Sequence, residues 1–172
     1  MPEYIDLYDA DRNPLDIVVE RHAVLEEGQF GLATGVWIFN SENKIFLTRR
    51  SFEKRFMPGK WENTGGGVQA GETTRTAAVR ELFEETGIVC KPEELIFIGT
   101  TVHTNHFGDD FALRKDFPIE SVKLQPGETC DAGWFTEEEF DRMILSEELA
   151  PSTAANLAPF RERWNEVLHS GK

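Results

Sequence analysis

The stretch from Thr73 to Thr86 constrains this chain more than any other. It is expected to form a helix that stops at Gly87, where a left-handed cap belongs. On that helix Glu81 and Glu85 stand about 40° apart, and Glu84 about 60° to the other side of Glu81, so three carboxylates share an arc of about 100°. Like charges at this spacing destabilise a helix by a few tenths of a kcal/mol. The helix dipole disfavours them further near the C-terminal end. Clustered carboxylate oxygens are what Mg²⁺ or Mn²⁺ prefers, and a bound cation would remove the penalty. A solvated acidic face is the plain alternative in a chain of net charge −13. The residues ahead of the helix favour the cation. Gly65-Gly66-Gly67 leaves backbone groups open to close approach, with Glu72 just before the helix and Arg80 just ahead of the carboxylates.

Strand-like segments lie on both sides of this helix. Tyr4–Tyr8 and Asp16–Glu20 flank a turn over Asp9–Pro14. Ala33–Asn40 and Lys44–Arg49 flank Ser41-Glu42-Asn43 and form a stronger hairpin. Arg50–Lys60 is expected as a polar, basic loop and Thr64–Gly67 as a glycine-rich turn. Leu95–Thr100, Asp110–Arg114 and Gly133–Phe135 read as further strands. A capping box at Thr136–Glu139 opens a second helix. Ser152–His169 reads as a last helix with a kink at Pro159. Strands around one central helix predict a single α/β or α+β layered domain over residues 1–172, with no linker dividing it.

The bulk properties exclude several classes. At 40% hydrophobic residues the chain can build a core. No apolar run reaches the roughly 18 residues of a membrane span, so no membrane association is expected. The acidic start Met1–Asp6 is no secretory signal, and the two cysteines, Cys90 and Cys130, fit buried thiols better than a disulfide frame. A cytoplasmic location fits both. The negative charge repels polyanions, which argues against nucleic-acid partners. It also repels a small phosphate ester unless metal cations intervene.

Gly66, five residues, Glu72, seven residues, Arg80-Glu81-Leu82, one residue, Glu84-Glu85, one residue, Gly87-Ile88 resembles the complete Nudix box, matching all nine specified positions. The hairpin ahead of the box, the approach through Trp61 and the Trp134 strand fit that family's layout more loosely. The resemblance implies an α/β/α sandwich with a mixed sheet, and hydrolysis of a pyrophosphate in a nucleoside diphosphate linked to a moiety X. Carried over by motif position, Glu81, Glu84 and Glu85 resemble metal ligands, joined by a backbone carbonyl at Gly65 or Gly66. Arg80 resembles the residue that orients them, with Glu72 as its partner. Leu82 and Ile88 are expected in the core.

The implied chemistry suits the residues. Mg²⁺ or Mn²⁺ would neutralise the pyrophosphate and activate a water, and a carboxylate would position or deprotonate that water. Glu84 and Glu85 are candidates, as is Glu128 outside the box. Arg49, Arg50 and Lys60, in a local run of bases, are candidates for the distal phosphate; a solvated loop is the alternative. Trp37 and Phe39 share one face of a strand, where core packing is the safer reading than base stacking. His103 and His106 are expected in a loop near the site mouth, and Asp109-Asp110 as a strand cap. A homodimer stays open.

Two other functions are weighed. Asp6–Ala10, Trp37–Asn40, Thr48-Arg49-Arg50 and Pro58–Trp61 also resemble isopentenyl diphosphate isomerase, a Nudix-fold enzyme whose catalytic cysteine follows the tryptophan. Glu62–Gly67 carries no thiol here, and the box is intact. A non-catalytic nucleotide-binding Nudix module is the third reading; such modules lose box glutamates, and this chain keeps them.

Overall fold

The computed structural model describes residues 2–171. The order is β1 (Tyr4–Tyr8), β2 (Pro14–Glu20), β3 (Gly31–Phe39), β4 (Ile45–Arg50), β5 (Trp61–Glu62), β6 (Thr64–Gly67), α1 (Thr74–Thr86), β7 (Ile96–Val102), β8 (His106–Arg114), β9 (Thr129–Phe135), α2 (Glu137–Leu145), α3 (Pro151–Leu157) and α4 (Arg161–His169). β1 and β2 form a small sheet of their own. The main sheet is mixed and runs β5-β4-β3-β8-β7, with β6 added to β3 and β9 to β4. The β3–β8 pair is parallel, and the other pairs are antiparallel.

The central strands are covered on both faces, which is why Val36, Trp37, Ile38 and Phe39 are all buried. Period-two alternation sorts them. Trp37, Phe39, Leu47 and Ala112 pack with Phe140, Leu157, Trp164 and Leu168 of the C-terminal helices. Val36, Ile38, Phe46 and Leu113 pack the other way, against Ala78 and Leu82 of α1 and Ile88. The result is the expected α/β/α sandwich with two cores. Each fully buried Leu or Phe stabilises it by roughly 1.5–3 kcal/mol.

Local signals set the helix ends. Thr73 caps α1, with its Oγ1 accepting from Thr76 N and Thr76 Oγ1 accepting from Thr73 N. Gly87 closes the helix at φ 71°, and its N–H donates to Phe83 O. The Thr136–Glu139 capping box opens α2 as expected. Pro159 does more than kink the last helix: a 3₁₀ turn, Ala158–Phe160, separates α3 from α4.

The small sheet is tied down over the loop ahead of α1. Ala70 N donates to Tyr4 O (2.8 Å), Gly71 N to Asp6 Oδ2 (2.7 Å), and Arg12 ion-pairs with Asp109 of β8.

Three expectations need correction. Thr64–Gly67 is a strand, because Ala33–Val36 of β3 pairs with it residue by residue. Asp109 and Asp110 do not cap β8 but lie buried within it; Asp109 is bound by Arg12, Thr74 and Thr100, and Asp110 accepts from Trp37 Nε1. Cys130 is exposed on β9; only Cys90 is buried, and both thiols are free. Among the described residues, no helix is long and apolar enough to cross a membrane.

Candidate active site

α1 lies against β6 with the Glu81 carboxylate in the place that a side chain at Gly66 would take. A Cβ there would stand 2.4–2.6 Å from the carboxylate carbon and both oxygens of Glu81. Glycine therefore lets the Glu81 carboxylate rest on the strand. Glu81 is buried (9% exposed), and that burial pushes its carboxyl up despite the opposing hydrogen bond and charge of Arg80.

Arg80 organises the neighbours. Its Nη1 donates to Glu81 Oε1 (2.9 Å) and Glu84 Oε2 (3.2 Å), its Nη2 to Gly67 O (3.0 Å), and Nε and Nη2 bind Glu72. The Glu72 hydrogen bond is the leading reason that the guanidinium is raised above its ordinary value. Glu85 sits deeper than Glu84. Burial, reinforced by the charges of Glu62 and Glu81, pushes the Glu85 carboxyl up to about 8, while the Gly65 N–H (3.3 Å) pulls it back.

These groups open into a cavity of about 700 Å³, which also takes in Glu62, Glu128, Arg50 and Lys54. Arg50 Nη1 donates to both oxygens of Glu62 (2.7 and 3.0 Å), and Lys54 ion-pairs with Glu128. Arg21 and His22 reach the same cavity from the end of β2. Arg49 and Lys60 do not line it. Arg49 Nε donates to Gly59 O (2.9 Å), and its guanidinium lies over the rings of Phe52 and Trp61; Lys60 Nζ donates to Glu147 O. Glu62, Arg21 and His22 were not singled out from the sequence. Glu62 stands shortly before the box, but Arg21 and His22 lie far from it in sequence, and only the packing of the small sheet brings them to the cavity.

Among the described residues, no three His, Cys, Asp or Glu side chains already converge on one point as a metal-holding group. Arg80 draws Glu81 and Glu84 toward itself instead. The donor set still fits a divalent cation: hard carboxylate oxygens on one flank, a glycine cradle at Gly66, and a half-buried Glu85 facing like charge.

His103 and His106, stacked at 4.1 Å and 9°, are not in this cavity. They line a smaller one on the opposite face of β3. Cys130 donates from Sγ to Arg50 O (3.4 Å) and lines neither.

The fold thus sets a helix carrying three carboxylates against a glycine strand at one cavity. A family model described as the NUDIX domain matches residues 29–158. An uncharacterized Nudix hydrolase of Listeria monocytogenes is 30% identical over 133 residues, 74% of this chain and 76% of that protein. The chain belongs to the Nudix family. An isopentenyl-diphosphate Delta-isomerase of Citrobacter koseri is 34% identical over 87 residues, 50% of this chain and 48% of that one. Among solved structures, a Deinococcus radiodurans protein matches at TM-score 0.70 and 24% identity, covering 86% of this chain and 92% of its own. The NUDIX domain of Shewanella oneidensis NrtR, complexed with ADP ribose, matches at TM-score 0.61 and 17% identity over 77% of this chain and 87% of its own. These two likenesses concern the fold.

Proposed function

We propose that the protein is a Mg²⁺-dependent pyrophosphohydrolase that cleaves a nucleoside diphosphate linked to a moiety X. The observation that carries this reading is the grouping of Glu81, Glu84 and Glu85 against the Gly65–Gly66 backbone at the large cavity. The Gly66 carbonyl and the three carboxylates would hold the metal. Bound Mg²⁺ or Mn²⁺ supplies charge neutralisation and a lowered pKa for a coordinated water.

The chain's own residues do the rest. Arg80 is a positioning residue that holds Glu81 and Glu84 through one nitrogen, with Glu72 as its anchor. Glu85 is the favoured general base among the box glutamates, because it sits deeper at the cavity than Glu84, beside the Gly65 N–H. Glu128 is the second candidate; its Lys54 partner must let go first. Arg50 is the candidate for the distal phosphate, with Arg49 and Lys60 as outer members of the same basic run. The net charge of −13 fits the absence of a nucleic-acid partner, and a cytoplasmic location without a membrane partner is part of the same proposal. A homodimer is compatible with this reading. The ADP ribose in the NrtR complex supports a nucleotide derivative as ligand class.

Half-length similarity to an isomerase supports a second reading, isomerisation of isopentenyl diphosphate. It is disfavoured because neither Cys90 nor Cys130 lines the cavity of the glutamates. The deciding experiment is a panel of ADP-ribose, dinucleoside polyphosphates, NADH, coenzyme A, nucleoside triphosphates and isopentenyl diphosphate with Mg²⁺. Phosphate is read after added phosphatase, and dimethylallyl diphosphate is read separately. Release from a nucleotide substrate is expected. Isomerisation by the unmodified protein, with no nucleotide cleaved, would overturn the assignment.

A further inference from the structure

Antiparallel pairing of β4 with β5 sets Thr48 opposite Glu62 and Arg49 opposite Trp61. The register continues for one more residue, because Arg50 N donates to Lys60 O (2.9 Å). Arg50 and Glu62 are therefore diagonal neighbours on one face of the pair, a spacing that long side chains can span. Phe46 belongs to the core beneath α1, so alternation along β4 turns Thr48 and Arg50 to that side as well. It turns Arg49 the opposite way, onto Trp61. Register alone thus brings Arg50 and Glu62 together at the large cavity.

The two side chains bond unevenly. Arg50 Nη1 bridges both oxygens of Glu62, at 2.7 and 3.0 Å, and Nε donates to Phe56 O at 3.0 Å. Nη2 has no partner among the described residues. The pair is only 20% and 21% exposed, so solvent and salt screen it weakly. Glu62 also differs from the box glutamates. Arg80 takes one oxygen from Glu81 and one from Glu84, which leaves the other oxygen of each for a cation. Both oxygens of Glu62 are taken, and by a group that would repel a cation. This carboxylate is placed to hold a guanidinium and not to bind a metal.

We propose that Glu62 is a positioning residue that holds Arg50 so that its unbonded Nη2 meets the terminal phosphate group of the substrate. The proposal rests on the hydrolase reading for the reaction, while its diphosphate-binding part can be measured without turnover. A loose arginine side chain loses rotamer freedom when it closes on a ligand. Glu62 and the Phe56 carbonyl impose that loss before the substrate arrives. Nη2 then presents two N–H donors, and phosphate oxygens accept them. Loss of Glu62 acts on affinity, through Arg50, and leaves the chemical step alone.

The test is calorimetric titration of the intact protein, in excess Mg²⁺, with imidodiphosphate, a pyrophosphate analogue whose bridge resists hydrolysis. Four forms are compared: the unmodified protein, Glu62→Gln, Arg50→Gln and the double variant. Glu62→Gln keeps side-chain size but replaces one acceptor oxygen by an amide N–H₂, which opposes Nη1 donor to donor and releases Arg50. It should weaken the analogue severalfold, and Arg50→Gln at least as much. The double variant, which leaves no charge of the pair unmatched, should lose no more than Arg50→Gln alone, because effects that act through one group do not add. Mg²⁺ titration without the analogue should give the same affinity for Glu62→Gln as for the unmodified protein. In the hydrolysis assay Glu62→Gln should raise KM with kcat held within a few fold. Additive losses in the double variant would overturn the proposal, as would a lowered melting temperature with unchanged affinity for the analogue. Weakened Mg²⁺ binding by Glu62→Gln would also overturn it, by making Glu62 a metal ligand. The expected affinity pattern without hydrolysis of any nucleotide would instead overturn the hydrolase reading alone.

Discussion

Arg80 grips Glu72 with two parallel hydrogen bonds, Nε to Oε1 at 2.9 Å and Nη2 to Oε2 at 2.8 Å. The fork leaves Nη1 free for Glu81 and Glu84. A planar guanidinium can serve three carboxylates in this way, and an ammonium cannot. Arg80→Lys is therefore expected to lower the hydrolysis rate at least tenfold and to weaken Mg²⁺ binding. Stability should fall by about 1–3 kcal/mol, because the buried Glu81 loses its partner. Wild-type rates together with a wild-type Mg²⁺ titration in this variant would reduce Arg80 to a structural pair.

Glu84→Gln and Glu85→Gln keep side-chain size and remove a charge. A fall in kcat of about a hundredfold or more is expected for each, the scale of one lost charge-stabilising group. Their stabilities should differ. Glu84 is half-exposed, so its variant should melt near the parent. Burial holds the Glu85 carboxyl near 8, so Glu85→Gln should raise the melting temperature in metal-free buffer at neutral pH. A lowered melting temperature with unchanged kcat would make Glu85 a structural residue.

Excess chelator should abolish turnover, and Mg²⁺ or Mn²⁺ should restore it. The cation offsets the charges of Glu62 and Glu81, which add to burial in raising the Glu85 carboxyl, so adding Mg²⁺ should also raise the melting temperature. Full turnover in chelator is the result that refutes a metal site on α1.

Asp110 gives a pH signature. Burial raises its carboxyl from 3.8 to about 7, against the Trp37 hydrogen bond. The folded protein thus holds this proton more tightly than the unfolded chain. The contribution to stability is greatest below pH 3.8, declines as pH rises toward 7, and is fully lost above it. Asp110→Asn still accepts from Trp37 through Oδ1 and carries no charge. It should flatten the stability profile across that window and be more stable than the parent at pH 8, by on the order of 1 kcal/mol or more. Chemical denaturation across pH measures both, and a profile parallel to the parent's would refute the assignment.

The sequence made the carboxylate helix legible because a helix carries its own ruler. Spacing alone places Glu81, Glu84 and Glu85 on one flank, and Gly87 marks its end. The burial of Trp37 and Phe39 followed from strand alternation. β6 was misread because Gly65-Gly66-Gly67 has no strand propensity of its own, and its pairing with Ala33–Val36 is a tertiary event. Glu62, Arg21 and the partners of Asp110 were illegible for the same reason. The basic run showed the opposite failure. Its charges were visible, but its loop turns Arg49 onto Phe52 and Trp61 and sends Lys60 to Glu147, leaving Arg50 and Lys54 at the cavity.

The parallel pairing of β3 with β8 carries a kinetic consequence. Gly31 meets His106 and Phe39 meets Arg114, so the middle of the sheet closes only when the whole intervening chain has been gathered in. That chain includes β4, β6 and α1. Loop closure over such a span is an entropic toll levied before any native contact rewards it, which places refolding toward the slow end for mixed domains. It also means that the glutamates and their glycine strand mature inside a closing ring. A fragment ending before β8 would keep the helix-forming sequence and still lack the central strand pair that holds β6 and α1 in register.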